Sequence, residues 1–186
     1  IINQGSVLKF HKNASLIANA GVTITGTEDR PVKFLGTHQE SWPGVLILAN
    51  NSDVNIKGLI MKGATGKGIA GFNYTGALSI FEANLHMSDC SFSNNFSEDA
   101  LNLINVNGLV EKLKIFDTPS DGLDVDFGKL EIRDSLFSNI GSQTGADAVD
   151  ISHSTVKMSN IKIFKTTDKG LSIGESAQVD VDGMEV

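Results

Sequence analysis

Residues 129–137 read "KLEIRDSLF". The apolar positions of this stretch are Leu130, Ile132 and Phe137, with Ser135 between them, at spacings of 0, +2, +5 and +7. A spacing of two is strand alternation, in which residues i and i+2 face the same way. The spacing of three spans a polar corner at Asp134, where the chain can bend and still point inward. Five more stretches follow the template: Val54/Ile56/Leu59/Met61, Leu85/Met87/Cys90/Phe92, Gly108/Val110/Leu113/Ile115, Val156/Met158/Ile161/Ile163 and Val179/Val181/Met184/Val186. Small or polar residues hold the corner in five of these laps: Gly58, Asp89, Asp134, Asn160 and Gly183.

An earlier aliphatic pair precedes each of the later templates: Leu78/Ile80, Leu101/Leu103, Leu123/Val125, Val149/Ile151 and Leu171/Ile173. Three short strands per lap, at intervals of roughly 21 to 26 residues, describe an all-β, right-handed parallel β-helix, a solenoid of stacked coils. The stretch "ALSIFEANLHM" (77–87) read alone has the periodicity of an amphipathic helix. As one lap of the repeat it is strand, turn and strand, and this reading is adopted because four other laps share it.

The chain of 186 residues is expected to form one domain over 1–186, with less regular coils over 1–48 and regular coils over 49–186. About 40% of residues are hydrophobic, which places it among globular proteins. A net charge of −7 argues against nucleic acid or an anionic membrane surface as the main partner, since both need a basic footprint. No run approaches the ~18 apolar residues of a membrane span. The single cysteine, Cys90, excludes an internal disulfide. It occupies a slot filled elsewhere by Leu59, Leu113 and Ile161, so it is expected to be buried as an ordinary apolar residue. The last residue, Val186, falls on the final slot of a template with no capping helix after it. The C-terminal end is therefore expected to be covered by further coils, a cap or a partner.

Insertions in a solenoid collect on one side, often the binding side. The longest here is the Gly-rich "KGATGKGIAGFNYTG" (62–76). It lacks the spacing and the Ser/Thr of a phosphate-binding P-loop.

The runs "TPSDGLDVDFGKLEIRDSLFSNIG" and "ADAVDISHSTVKMSNIKIFKTTDKGLSIGE", with the upstream "ITGTEDRPVKF", resemble the right-handed parallel β-helix repeat superfamily, the pectate-lyase-like solenoids of bacterial secreted and surface proteins. The resemblance covers nearly the whole chain. It implies an extracellular or cell-surface setting and a polysaccharide partner. The superfamily holds lyases, hydrolases, epimerases and adhesins, so a fold-level likeness does not choose among chemistries.

The acidic residues carry the functional question. Asp99, Asp121, Asp147 and then Lys169 lie two positions before successive aliphatic pairs. Between the pair members, facing outward, lie Ser79, Asn102, Asp124, Asp150 and Ser172. Neighbouring laps stack about 4.8 Å apart, so Asp121, Asp124, Asp126, Asp147 and Asp150 are expected to crowd one outer patch. Two unit charges at such a distance repel by roughly 1 kcal/mol in water and more where water is scarce. Three readings follow. Asp99, Asp121 and Asp147 can cap backbone amides of their own turns. The five carboxylates can gather a cation, with Ca²⁺ the natural choice for hard oxygen ligands, though no cofactor is required. Or Asp121, Asp124, Asp147 and Asp150 can supply the paired carboxyls of a glycoside hydrolase, and His153 or Lys169 the base of a lyase. The chain departs from the polygalacturonase pattern, with no adjacent Asp-Asp, Gly-His-Gly or Arg-Ile-Lys. Trp42 and Tyr74 are candidate sugar-stacking residues, although Trp42 suits packing under the N-terminal coils equally well. Stacked Asn94, Asp117 and Asn139 are expected to form a structural ladder. The expected function is an extracytoplasmic module that binds or modifies polysaccharide, with a non-catalytic structural or adhesive domain as the rival, and a lyase or hydrolase using the Asp patch as a third reading.

Overall fold

Alternate aliphatic residues turn one side of every short strand inward, and the strands stack in three parallel columns. The computed structural model describes residues 1–66, 74–142 and 145–186. It is a parallel β-solenoid of about seven turns, about 24 residues each. The first column runs through Ser15–Ala18, the start of Gly44–Lys57, the starts of Gly76–Ser88 and Asp99–Glu111, then Asp121–Asp126, Val149–Ser152 and Leu171–Ile173. The second runs from Ile2–Asn3 and Thr23–Thr25 through the later halves of those long strands to Lys129–Arg133, Thr155–Thr166 and Gln178–Glu185. The third stacks Val7–Phe10, Val32–Gly36, Leu59–Lys62, Ser91–Ser93, Lys114–Thr118 and Leu136–Ile140 against the end of Thr155–Thr166. The one helical element among the described residues is a 3₁₀ turn, Thr37–Gln39. No helix among them is long and apolar enough to cross a membrane.

The register is the one the repeat implies. Leu101, Leu123, Val149 and Leu171 are successive neighbours, as are Leu103, Val125, Ile151 and Ile173. Residues 77–87 are strand, within Gly76–Ser88, and the backbone bends at Glu82 with φ 52°. The inward slots form one continuous core in which Phe92, Val125, Ile132, Phe137, Val149 and Ile163 are fully buried. Ser135 fills its slot as a buried hydroxyl that donates to the Arg133 carbonyl and accepts the Leu113 amide.

Gly108 departs from the template. It is exposed at φ 140°, and an added Cβ would run into the Leu85 carbonyl oxygen, so this slot is left without a side chain. Residues 67–73 of the Gly-rich insert, including part of "GATGKG", lie outside the described residues.

Left-handed backbone marks the bends of the coils from Gly44 onward. Gly58, Asp89, Lys112, Asp134, Asn160 and Gly183 turn the chain from the second to the third column, all at positive φ. Gly63, Asn94, Asp117, Asn139 and Lys165 leave the third column in the same way. Asn51, Glu82, Asn105, Phe127, His153 and Ser176 do so between the first and second. At such corners the amide donates to a carbonyl one coil on, as from Lys112 to Arg133 and from Asp134 to Ser159, both at 3.0 Å.

Two expectations follow. Truncating Val125 to Ala removes apolar volume that no neighbour can refill, and should cost about 1–3 kcal/mol in urea unfolding. Cys90 is 1% exposed, and burial pushes its thiol up to about 12. A thiol reagent should therefore label the native protein only as fast as the coil opens, with a rate that climbs steeply as denaturant is added.

Candidate functional site

The acidic residues occupy two adjacent rows on the first column. The first row is Asp99 and Asp121, which open their strands, and Asp147 and Lys169, two residues before the next two strands. The side chains of Asp121 and Asp147 bind the next coil and not their own turn. Asp121 Oδ1 accepts the Asp147 amide at 2.8 Å, and Asp147 Oδ1 accepts the Lys169 amide at 2.8 Å. The Lys169 ammonium closes the row, 3.1 Å from both Asp147 oxygens and 2.6 Å from Asp168 Oδ2. These contacts hold Lys169 firmly in its charged form.

The second row faces outward. Ser79, Asn102, Asp124, Asp150 and Ser172 pair in register on five consecutive coils. Its upper part is covered. Ser79 is fully buried and Asn102 is 3% exposed, because the turn at Thr75–Gly76 lies over them. Gly76 donates its amide to Ser79 Oγ, and a Cβ there would meet the Asn102 side chain at 2.9 Å. Asp124 and Asp150 emerge below this cover, each partly exposed.

Asn102 joins the two rows. Its Nδ2 donates to Asp99 Oδ2 at 3.2 Å and to Asp124 Oδ2 at 2.8 Å. Burial pushes Asp99 up to about 7, reinforced by the neighbouring Asp121 and Glu98 charges against a hydrogen bond from Thr75. Burial pushes Asp124 further, to about 8, with Asp99, Asp126, Asp150 and Asp121 adding repulsion. Asp121 and Asp126 are also raised, again chiefly by burial. The shift moves Asp124 towards its protonated form, in which it can donate a hydrogen bond or a proton as an ionised aspartate cannot.

The exposed edge of this face carries an aromatic pair. Phe127 follows Asp126 and stacks on His153 one coil on, ring centroids 4.9 Å apart at 25°. Phe127 is 58% exposed with φ 55°, an unusual backbone for a bulky residue. Neither its ring nor its place beside the acidic face was expected from the sequence. The signal was present in its position, two residues after an inward pair and in the same rank as His153.

Trp42 and Tyr74 are not available to a ligand, which corrects the sugar-stacking expectation for Tyr74 and decides Trp42 in favour of packing under the N-terminal coils. Trp42 is fully buried, stacked on Phe10 with centroids 4.0 Å apart, and its Nε1 donates to the Lys62 carbonyl. Tyr74 is 3% exposed, with its hydroxyl 3.4 Å from Ser15 Oγ. Among the described residues no group of three or more His, Cys, Asp or Glu is placed to hold a metal ion. Of the five carboxylates weighed for Ca²⁺, Asp121 and Asp147 are engaged by amides and Asp147 also by Lys169, while Asp124, Asp126 and Asp150 line the open face.

Residues 10–186 match the family described as the right-handed beta helix region. The chain belongs to the right-handed β-helix family. The family fixes the hand of the coil and leaves the chemistry of its faces open. No curated protein and no solved structure matches the chain.

The raised carboxyls give a pH signature of defined sign. Between the unfolded carboxyl range near 4 and the folded values near 7 and 8, the folded chain holds protons that the unfolded chain has released. The contribution of Asp99 and Asp124 to stability is therefore full below about pH 4 and falls as pH rises towards 8. The variant Asp124→Asn, which stays neutral at every pH, should flatten the decline relative to the unaltered chain. Melting temperatures measured from pH 4 to 8 on both proteins check this; parallel curves would show that Asp124 is ionised in the folded state.

Proposed function

We propose that this β-helix is a polysaccharide-binding module, and that its glycan lies along the outward row of Asp124 and Asp150 against the Phe127–His153 pair. One observation carries the reading: the strand that carries the raised carboxyl of Asp124 on its outward face runs directly into the corner where Phe127 stacks on His153, both rings exposed. Sugars are recognised by this combination, with apolar ring faces against an aromatic and hydroxyls between donors and acceptors. Protonation of Asp124 reduces the negative charge of the face. The chain still carries −7 overall, which favours a neutral polysaccharide over a polyuronate. Stacked strands about 4.8 Å apart offer the same polar groups at each step, which suits a repeating ligand. The resemblance to secreted and surface β-helix domains supports an extracytoplasmic setting.

A second reading has a specific observation in its favour. Asp124 has the protonation of a general acid, and Asp150 is its nearest carboxyl in register on the next coil. Paired carboxyls are the equipment of glycoside hydrolysis.

Retention on an array of immobilised neutral and acidic glycans tests the binding reading. Neutral glycans should be retained, and Phe127→Ala should weaken retention about tenfold through loss of the stacking surface. Retention of no glycan would overturn it and leave a structural or adhesive domain. Incubating the retained glycan with the protein and assaying new reducing ends decides the hydrolytic reading: release that Asp124→Asn abolishes establishes it, and no release ends it.

A further inference from the structure

A second recess lies at the corner where the chain leaves the third column, and none of its residues belongs to the acidic face. It is a groove of about 490 Å³, within the range of ligand-binding clefts. Its floor is the rank of Asn94, Asp117, Asn139 and Lys165, one from each of four consecutive coils, all with left-handed backbone. Phe96 forms one wall and is 53% exposed. Its amide is anchored to the Ala64 carbonyl at 2.6 Å, which fixes the backbone from which the ring projects.

The polar groups of this floor are arranged to be left over. Asn139 Nδ2 donates to Asp117 Oδ1 at 2.8 Å, which orients that carboxylate and leaves Oδ2 for another donor. Among the described residues the Asn94 side-chain amide makes no hydrogen bond and the Lys165 ammonium makes no ion pair. A folded chain that satisfied only itself would pair Lys165 with Asp117, two coils away in the same rank; instead Asp117 is held by an amide and Lys165 stays open. The groove thus offers an aromatic ring face, two carboxamides, one carboxylate and one ammonium, with the single positive and single negative charge in balance.

We infer that this groove is a separate binding site for a neutral sugar unit, seated with its apolar ring face on Phe96 and its hydroxyls on Asn94, Asp117 and Lys165. The balance of charge selects against polyanions and polycations alike. A carboxylate and an ammonium together match vicinal hydroxyls, which both accept and donate. The inference shares a ligand class with the acidic face but not its residues, so either site can fail alone.

The experiment is amide chemical-shift mapping by NMR on the whole chain. The probes are millimolar cellohexaose, xylohexaose, laminarihexaose and mannohexaose, with oligogalacturonate and chitosan oligomers as charged comparisons. At least one neutral probe should shift the amides of Asn94, Phe96, Asp117 and Lys165. Phe96→Ala should weaken that response about tenfold while leaving any response at Phe127 and Asp150 unchanged. Phe127→Ala should do the reverse, so that loss of one site is told apart from loss of the other. Asn139→Ala, which frees Asp117 without touching the ring, should weaken binding less than Phe96→Ala. No shift at the groove with any neutral probe, or a response to the charged oligomers as large as to the neutral ones, would overturn the assignment.

Discussion

The regular coils close because three residues per lap take up left-handed backbone, and the rest of the molecule depends on those corners keeping their place. A slip of one residue in any strand would turn its inward side chains to solvent. The corners prevent this by joining adjacent laps directly, amide to carbonyl, at the points where strand pairing would otherwise be interrupted. Left-handed conformations cost on the order of 1–3 kcal/mol for residues other than glycine, less for Asn and Asp. That cost is offset by hydrogen bonds between coils and by a core that runs unbroken along the axis. The corners are therefore where sequence choice is most constrained, and every candidate binding group in this protein is on a corner or on the strand beside one.

That constraint explains what the sequence revealed. The slots at +2, +5 and +7 were legible because burial demands apolar residues and the repeat compares six laps at once. The corner between the second and third columns was legible because Gly58, Asp89, Asp134 and Asn160 are residues that tolerate left-handed backbone. The corner between the first and second columns was not, because Glu82, Phe127, His153 and Ser176 are poor signals for that conformation although they adopt it. The side-chain directions of Trp42 and Tyr74 were not legible for a different reason. They lie at a junction of the insert and the irregular coils, where no second lap reveals which way a side chain points.

The acidic rows show the same limit in electrostatics. The sequence placed the aspartates next to one another and posed the problem of their repulsion. It did not show the solution, because the relieving groups come from the next coil, 22 or 26 residues away. Repulsion is lowered in three distinct ways. Backbone amides are presented to Asp121 and Asp147, a lysine ends the inner row, and Asp99 and Asp124 are raised towards or beyond neutrality so that a proton replaces a charge. The third way follows from the Thr75–Gly76 turn, which shields Asn102 and Asp99 from water. The longest insertion in the chain thus shapes the acid–base character of a face without contributing a charged group from its described residues.

Phe127 joins a constrained corner to the acidic face. Its slot in the corner rank would be met at lower cost by the Asn that occupies it one coil earlier, Asn105. A phenyl ring there is more than half exposed, so it adds little to the core, and its backbone is in a region that bulky side chains seldom occupy. Its one ring partner among the described residues is His153, another residue in left-handed backbone. A stacked pair on the surface contributes about 0.5–1.5 kcal/mol, comparable with the strain of one corner but not clearly above that of two. Stability alone therefore gives no reason to prefer Phe and His to Asn at both positions. Local strain that the fold tolerates without a stability gain is characteristic of residues retained for what they touch. Here the rings stand at the end of the strand on which burial raises Asp124, which ties the position that sequence rules fit least well to the face whose charges needed the most relief.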